Sequence, residues 1–234
     1  MNWLSEGDTE AAGKKCGERP EGFGEIVFCG GPGLVAPGTV AQATVNLKPG
    51  TYLMECYVKT GGVFHSYNPE EGSWGMVHQF TVTDEASGAP EPEASLEMTI
   101  SAERGIEITD DIKPGQHTVR VTFADQKIHE NFVEHDVHLV RLEEDSDIDE
   151  LETWMDWRVP KGLQTPAPVE FLGGLNEMPA GETGYFTVPL YAGHYAWVAE
   201  VPNAREKGML KVFTVSDDDA ESDDTAEPES TSAE

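Results

Sequence analysis

"GTYLMECYVKTGGVFHSYNPEEGSWGM", residues Gly50 to Met76, contains a cysteine, a histidine and a methionine in that order. Its apolar and polar residues predict a strand that ends near Cys56, a long loop that carries His65, and a second strand that starts near Met76. A thiol, an imidazole and a thioether are side chains that bind copper in proteins. Whether these three can act together depends on the fold that surrounds them.

This segment lies at the end of an internal similarity. Residues 28–56 match residues 171–199 without a gap, at an offset of 143, with nine identities in 29 positions. Further along the chain the offset falls to 133, because the Gly-Met pair at 75–76 recurs at 208–209. The first copy therefore has ten extra residues in its loop. Such self-similarity predicts two copies of one structural unit.

The two copies differ at their beginnings. "MNW" at 1–3 resembles "MDW" at 155–157, and the second copy extends further back to Leu96, whereas the first has nothing equivalent. Either the protein has one and a half repeats, or Met1 is an internal methionine of a longer natural chain. The second interpretation is favoured, because an open half-sandwich would expose unpaired strand edges. We expect the first repeat to be truncated at its N-terminus.

The rest of the chain is rich in strand patterns. A single helix is predicted over residues 146–157, with Ser146 and Asp149 capping its start. Its apolar face comprises Ile148, Leu151, Trp154 and Met155. Eight segments alternate apolar and polar residues and are predicted strands: 95–101, 105–109, 116–123, 169–172, 184–190, 194–201, 209–215 and 137–142. The predicted fold class is all-β, a Greek-key β-sandwich in two repeats with one short inserted helix.

Composition divides the chain into four parts. Residues 1–84 form the partial repeat, and 96–215 form a complete domain. Between them, 85–95 is an acidic Pro/Ala linker. The acidic segment 216–234 cannot bury enough apolar surface to offset its chain entropy, so it is expected to be disordered.

Charge excludes several classes of partner. With 44 acidic and 15 basic residues the formal net charge is -29, which repels nucleic acid and anionic lipids. No apolar run is long enough to predict membrane insertion, and no signal peptide begins the chain. Cys16, Cys29 and Cys56 are too few for a disulfide framework, although the first two could pair in an oxidising compartment. No catalytic motif is found, so we expect that the protein is not an enzyme.

Two stretches resemble the cupredoxins, such as plastocyanin and azurin. "LKPGTYLMEC" (47–56), followed by a histidine and then "GMVHQFTV" (75–82), resembles the C-terminal copper-binding hairpin of that family. "ENFVEHDVHLVR" (130–141) resembles the stretch around the upstream copper histidine, at His135. The resemblance implies a cupredoxin-like fold, copper as the cofactor and a periplasmic or extracellular location.

The same resemblance implies a ligand set that is incomplete in each copy. Cys56 would supply the thiolate, His65 an imidazole and Met76 the axial thioether, but the first copy lacks an upstream histidine. The second copy has His135 and carries Ala199 where the thiolate should be, so His135 is left without its partners. A type 1 centre needs two imidazoles and one thiolate. We therefore expect no complete type 1 site in this chain.

Two further groupings are testable. His129, His135 and His138 could share a metal only if a bulge or bend brings them to one face. In the long loop, Phe64, Tyr67 and Trp74 interleave with His65, Glu70 and Glu71. This surface could dock a protein or a small cationic or sugar-like partner, or its aromatics could fold back as a lid.

Two functions remain open at this point. The first is an exported copper-binding or electron-transfer protein that uses Cys56 and His65. The second is a metal-free cupredoxin-fold module that binds a partner or has a structural role. The first requires the sulfur of Cys56 and a ring nitrogen of His65 to lie within roughly 4 Å. The oligomeric state does not follow from the sequence.

Overall fold

The computed structural model describes residues 26–67, 75–108 and 112–217. The prediction of an all-β sandwich with one short helix is confirmed, because these residues form β-sheets and a single short helix. The strands are β1 (Gln42–Val45), β2 (Gly50–Glu55), β3 (Lys59–Thr60), β4 (Val63–Phe64), β5 (Val77–Val82), β6 (Leu96–Ser101), β7 (Gly105–Ile108), β8 (Gly115–Phe123), β9 (Val137–Leu142), β10 (Glu170–Leu175), β11 (Thr183–Leu190), β12 (Gly193–Val198) and β13 (Leu210–Val215). All eight strands predicted from alternation are present, with small differences at their ends.

Two sheets make up the sandwich. The five-stranded sheet has the order β1-β11-β8-β6-β7, and the four-stranded sheet has the order β10-β9-β12-β13. The pair β6 and β8 is parallel, and the other pairs in these sheets are antiparallel. From β8 to β12 the chain crosses between the two sheets three times, with β9 and β10 consecutive in the four-stranded sheet, so the inner faces are built from neighbouring parts of the sequence.

Large apolar side chains fill the space between the sheets. Trp197 is almost fully buried, with its ring stacked 5.2 Å from Phe213 and 6.0 Å from Phe186 in an edge contact. Burying a side chain of the size of Phe186 stabilises the fold by about 1.5–3 kcal/mol. These aromatic residues come from β11, β12 and β13, so the core ties both sheets together.

The helix α1 (Ile148–Met155) follows β9. Leu151, Trp154 and Met155 are buried as predicted, but the capping residue is Asp147 and not Ser146. The Asp147 carboxylate accepts hydrogen bonds from the backbone N–H groups of Asp149 and Glu150, while Ser146 Oγ accepts one from the Glu143 N–H. The sequence prediction placed the cap one residue too early because both residue types can cap a helix.

Residues before β2 join the sandwich of the second segment. β1 pairs with β11 over four residue pairs, and isolated bridges join Pro32 to Leu175 and Val35 to Leu172. Gly33 passes so close to β10 that a Cβ atom on Gly33 would lie 2.8 Å from the Gly174 Cα. The described part of the 1–84 segment therefore packs against the 96–215 segment. Its designation as a separate domain stays a prediction.

The hairpins β2–β5 and β12–β13 have the same register. Tyr52 pairs with Phe80 and Tyr195 pairs with Phe213, and in both pairs the rings stack with centroids 5.6 Å apart. Each tyrosine hydroxyl also donates to the carbonyl oxygen four residues earlier. These are positions that the sequence offsets match, 143 for the tyrosines and 133 for the phenylalanines. Among the described residues, β2 pairs only with β5, whereas β12 also pairs with β9.

The linker lies along the five-stranded sheet. The Glu91 carboxylate accepts a hydrogen bond from the Tyr185 hydroxyl and lies 3.9 Å from the Arg120 guanidinium. The predicted disorder of the acidic tail concerns residues that, from 218 onward, lie outside the described part of the chain, as does Cys16. Within the described ranges, no helix has the length and apolar character needed to span a membrane.

Candidate metal centre

A hairpin end and a tight turn place the three predicted copper ligands of the first repeat. Cys56 directly follows β2 and Met76 directly precedes β5, and the Cys56 N–H donates to the Met76 carbonyl oxygen at 3.0 Å. Gly61 and Gly62 form the two-residue turn between β3 and β4, both with positive φ, which suits a glycine pair. The turn reverses the chain and brings His65 back toward Cys56.

The sulfur of Cys56 lies 3.7 Å from Nδ1 of His65, and both side chains are partly buried. The expected limit of roughly 4 Å is met. A metal with bond lengths of about 2.3 Å to sulfur and about 2.05 Å to nitrogen sets these two atoms about 3.6–3.8 Å apart at tetrahedral to trigonal angles. The observed distance therefore fits two ligands of one soft metal ion without rearrangement.

A chain of hydrogen bonds fixes the tautomer of His65. Thr165 Oγ1 donates to the Lys59 carbonyl oxygen at 3.3 Å, Thr60 Oγ1 lies 2.9 Å from Thr165 Oγ1, and His65 Nε2 lies 2.9 Å from Thr60 Oγ1. A carbonyl oxygen only accepts, so Thr60 must donate to Thr165 and accept the Nε2–H of His65. The lone pair of Nδ1 then faces the sulfur of Cys56, as metal binding requires.

The thiol of Cys56 is protonated at neutral pH. Desolvation by burial raises its pKa, the backbone contact with Val58 lowers it less, and the charge of Glu55 adds to the rise. Metal binding at this thiol would therefore release a proton.

Met76 differs from the other two residues. Its backbone N–H donates to the His65 carbonyl oxygen at 2.7 Å, but its side chain is 59% exposed. The role of Met76 as an axial ligand stays a prediction. In the described ranges, no third Cys, His, Asp or Glu side chain joins Cys56 and His65 in a group of ligand atoms.

In the second segment, the structure groups two of the three histidines. The rings of His129 and His135 are both buried, with centroids 5.1 Å apart. Burial lowers the pKa of His129 to about 4, helped by the neighbouring His135, and burial also lowers the pKa of His135. His138 has different partners, so the shared site of all three histidines is not formed.

His138 belongs to a buried network that sequence reasoning missed. Its Nδ1 accepts the Leu34 N–H at 3.0 Å, so its Nε2 carries the proton and donates to Asp136 Oδ2 at 2.8 Å. Asp136, His138 and Glu200 place one ligand atom each within 4.8 Å of the others. Both nitrogens of His138 are already engaged, however, so we interpret the group as a hydrogen-bonded network that helps hold the two segments together.

Phe64, one of the three aromatic residues of the predicted docking surface, is buried. This ring is 8% exposed and contacts Trp157 edge-on at 6.5 Å, with Lys59 Nζ 5.6 Å from its centroid. Phe64 therefore packs against the second segment, as the lid alternative expected, and it offers no docking surface. Trp74 and the two loop glutamates lie outside the described residues.

Comparison with known proteins yields a partial structural likeness. No protein-family model and no curated protein matches the chain. Auracyanin B aligns over 56% of this chain and 95% of its own, with 20% identity and a TM-score of 0.38. Dithionite-reduced auracyanin from the photosynthetic bacterium Roseiflexus castenholzii aligns over 51% of this chain and 94% of its own, with 16% identity and a TM-score of 0.36. Auracyanins are cupredoxins, the family that the sequence motifs resemble.

Proposed function

We propose that this protein is a copper-binding protein in which Cys56 and His65 are the protein ligands, without a complete type 1 site. The observation that carries the proposal is the 3.7 Å separation of Cys56 Sγ and His65 Nδ1, with the nitrogen lone pair turned toward the sulfur. Thiolate and imidazole together suit copper. The proposed role is copper binding and not catalysis. The Met76 backbone is hydrogen-bonded to the backbones of Cys56 and His65, so we propose its thioether as an additional weak ligand.

An electron-transfer role requires a further copper ligand. Type 1 chemistry needs a second imidazole beside the thiolate. The edge of β2 that has no partner strand among the described residues corresponds to the edge of β12 that pairs with β9, so a further ligand strand would lie there. Electron transfer is therefore proposed only for a form in which another imidazole reaches this edge. By the family resemblance, such a protein would act in the periplasm or outside the cell.

Copper titration of the full chain tests the proposal. Cu(I) is added in competition with a chelator, and Cu(II) addition is followed by visible absorption. We expect one copper per chain at the Cys56 site, its loss in Cys56→Ser, and its retention in Cys29→Ser, which removes the thiol of another partly buried cysteine. Equal copper binding by Cys56→Ser and the unchanged chain, or no binding by either, would reject the proposal.

A metal-free binding or structural module is the second candidate. The observation that favours it is the hydrogen bond from the Ala199 N–H to the Met209 carbonyl oxygen at 2.9 Å, which repeats the bond between Cys56 and Met76. The same hairpin end thus forms where no thiolate is available. A protein that binds no copper in the titration would support this candidate.

We also infer that the two segments are tandem copies, in which residues 28–56 and 75–82 correspond to residues 171–199 and 208–215. Support comes from the equal register of the two hairpins and from the repeated tyrosine contacts. In this proposal residues 1–84 are the partial copy and 96–215 the complete one. Comparing the folding of a 96–215 fragment with that of the whole chain tests the division. If the fragment is unfolded, the segments form a single unit.

A further inference from the structure

The loop between β8 and β9 holds two histidines in fixed backbone positions. The His129 N–H donates to the Val133 carbonyl oxygen at 2.8 Å, which closes a tight turn. The His135 N–H donates to Gln126 Oε1 at 2.7 Å, and Gln126 Nε2 donates back to the His135 carbonyl oxygen at 3.1 Å. Gln126 is itself held by the Met178 carbonyl oxygen at 2.6 Å. These hydrogen bonds therefore fix the backbone from which both imidazole rings project.

The imidazole rings of His129 and His135, unlike the backbone groups of these residues, make no hydrogen bonds among the described residues. His129 is 6% exposed and His135 is fully buried, yet none of their four ring nitrogens makes a hydrogen bond within the described part of the chain. Buried polar groups are nearly always hydrogen-bonded, and an exception calls for a missing water or ion. Two such exceptions in adjacent rings, 5.1 Å apart, indicate a common ligand.

The spacing of the rings fits a tetrahedral metal ion. A metal–nitrogen bond of about 2.0–2.1 Å places an imidazole centroid about 3.2 Å from the ion. Two centroids 5.1 Å apart then subtend an angle of about 105°, close to tetrahedral and far from linear.

Carboxylates adjoin both rings. Asp125 Oδ1 lies 3.5 Å from His135 Nδ1, and Glu130 Oε2 lies 4.0 Å from His129 Nδ1. Metal-binding histidines commonly turn their second nitrogen toward a carboxylate, which fixes the tautomer and orients the ring. Both carboxylates are held in place, since Glu130 Oε2 lies 2.7 Å from Lys207 Nζ and Asp125 Oδ1 accepts the Ala102 N–H at 2.9 Å.

We propose that His129 and His135 bind one divalent transition-metal ion of tetrahedral preference, of the Zn²⁺ class. The site differs from the Cys56–His65 pair in residues and in place, and it has no thiolate. It shares His135 with the family's upstream ligand position but pairs it with His129, six residues earlier in the same loop. Imidazole nitrogen suits zinc, copper, iron and nickel, and the two-nitrogen set leaves the remaining positions for water.

The test uses the full chain carrying Cys56→Ser, so that the thiolate site cannot contribute. Zn²⁺ binding is measured by calorimetry and by metal analysis after dialysis, and Co²⁺ is used as a spectroscopic probe of coordination geometry. We expect one Zn²⁺ per chain and a tetrahedral Co²⁺ spectrum without a sulfur charge-transfer band. His129→Gln should weaken Zn²⁺ binding at least about tenfold.

His194→Gln is the matched control, because His194 is an exposed histidine of β12 and its loss should leave Zn²⁺ affinity unchanged. Circular dichroism verifies that each variant is folded, and His135→Gln provides a second removal if His129→Gln does not fold. Failure to bind Zn²⁺, or equal affinity in His129→Gln and the background chain, would overturn the proposal. A chain that binds copper at Cys56 but no Zn²⁺ here would overturn this inference alone.

Discussion

Ala43 lies directly opposite Phe186 in the ladder between β1 and β11, and Phe186 is also the residue that Ala43 matches at the sequence offset of 143. The same coincidence holds for the bridge between Pro32 and Leu175. An antiparallel ladder centred on matched residues is what two equivalent units related by a local two-fold axis would form. This relationship supports the proposal of tandem copies and explains why the first segment packs on the second.

The close approach of Gly33 to Gly174 gives a prediction about this packing. Gly33→Ala should destabilise the protein by about 1–3 kcal/mol, because the new methyl group would overlap the backbone of β10. Gly50→Ala is the control, since a Cβ there would meet only Tyr52 Cε2 at 3.7 Å, and its effect should stay within about 0.5 kcal/mol. Urea unfolding measures both. Equal stabilities of the two variants would contradict a tight contact between the segments.

Much of the fold could be predicted from the sequence because it depends on local pattern. Alternation located the strands, and the offset of 143 predicted that Tyr52 and Tyr195 have equivalent contacts. The loop that carries His65 is ten residues longer than its counterpart in the second copy. The Gly61–Gly62 turn nevertheless brings the two side chains to 3.7 Å. The Gly61–Gly62 pair, which is typical of a two-residue hairpin turn, therefore explains the approach of the two side chains better than the loop length does.

What the sequence did not predict depends on distant contacts. Thr165 is 105 residues from Thr60, yet its hydroxyl determines the tautomer of His65. Glu200 and Asp136 meet only because β9 and β12 are neighbours, which puts the Glu200 N–H 2.8 Å from Asp136 Oδ1. In a chain with 44 acidic residues, neither carboxylate is distinguished by type or spacing. Pairings of this kind follow from strand order and not from local composition.

The hydrogen-bond chain to His65 predicts an effect on copper affinity. Thr60→Val removes the acceptor of the Nε2–H and frees the ring to adopt the other tautomer, so Cu(I) affinity should fall about 10–100-fold. Thr51→Val is the control, because Thr51 is an exposed threonine in β2. Competition with a Cu(I) chelator measures the affinity. An unchanged affinity in Thr60→Val would indicate that His65 is not a ligand or is oriented by another contact.

Copper affinity at Cys56 should also depend on pH. Burial raises the pKa of this thiol, so copper must displace a proton at neutral pH, and affinity should increase as pH rises toward the thiol pKa. The slope of log affinity against pH should be about one unit per pH unit in this range. Chelator competition at several pH values, corrected for the pH dependence of the chelator, measures it. A flat profile would mean that the bound species does not contain the Cys56 thiolate.

The buried carboxyl of Glu177 predicts a pH dependence of stability. Burial, with the neighbouring charge of Asp136 as the next cause, raises its pKa from 4.5 to about 8. The folded state then binds more protons than the unfolded state between these values, so this group's contribution to stability is complete below about pH 4.5 and is lost as pH rises to about 8.

Glu177→Gln keeps an uncharged side chain of the same shape and should flatten this loss of stability. Urea unfolding in the presence of EDTA at pH 5, 6.5 and 8 measures it, with the exposed Glu97→Gln as the control that should retain the full dependence. If Glu177→Gln and Glu97→Gln lose equal stability with rising pH, the Glu177 carboxyl is already ionised in the folded protein and burial does not keep it protonated.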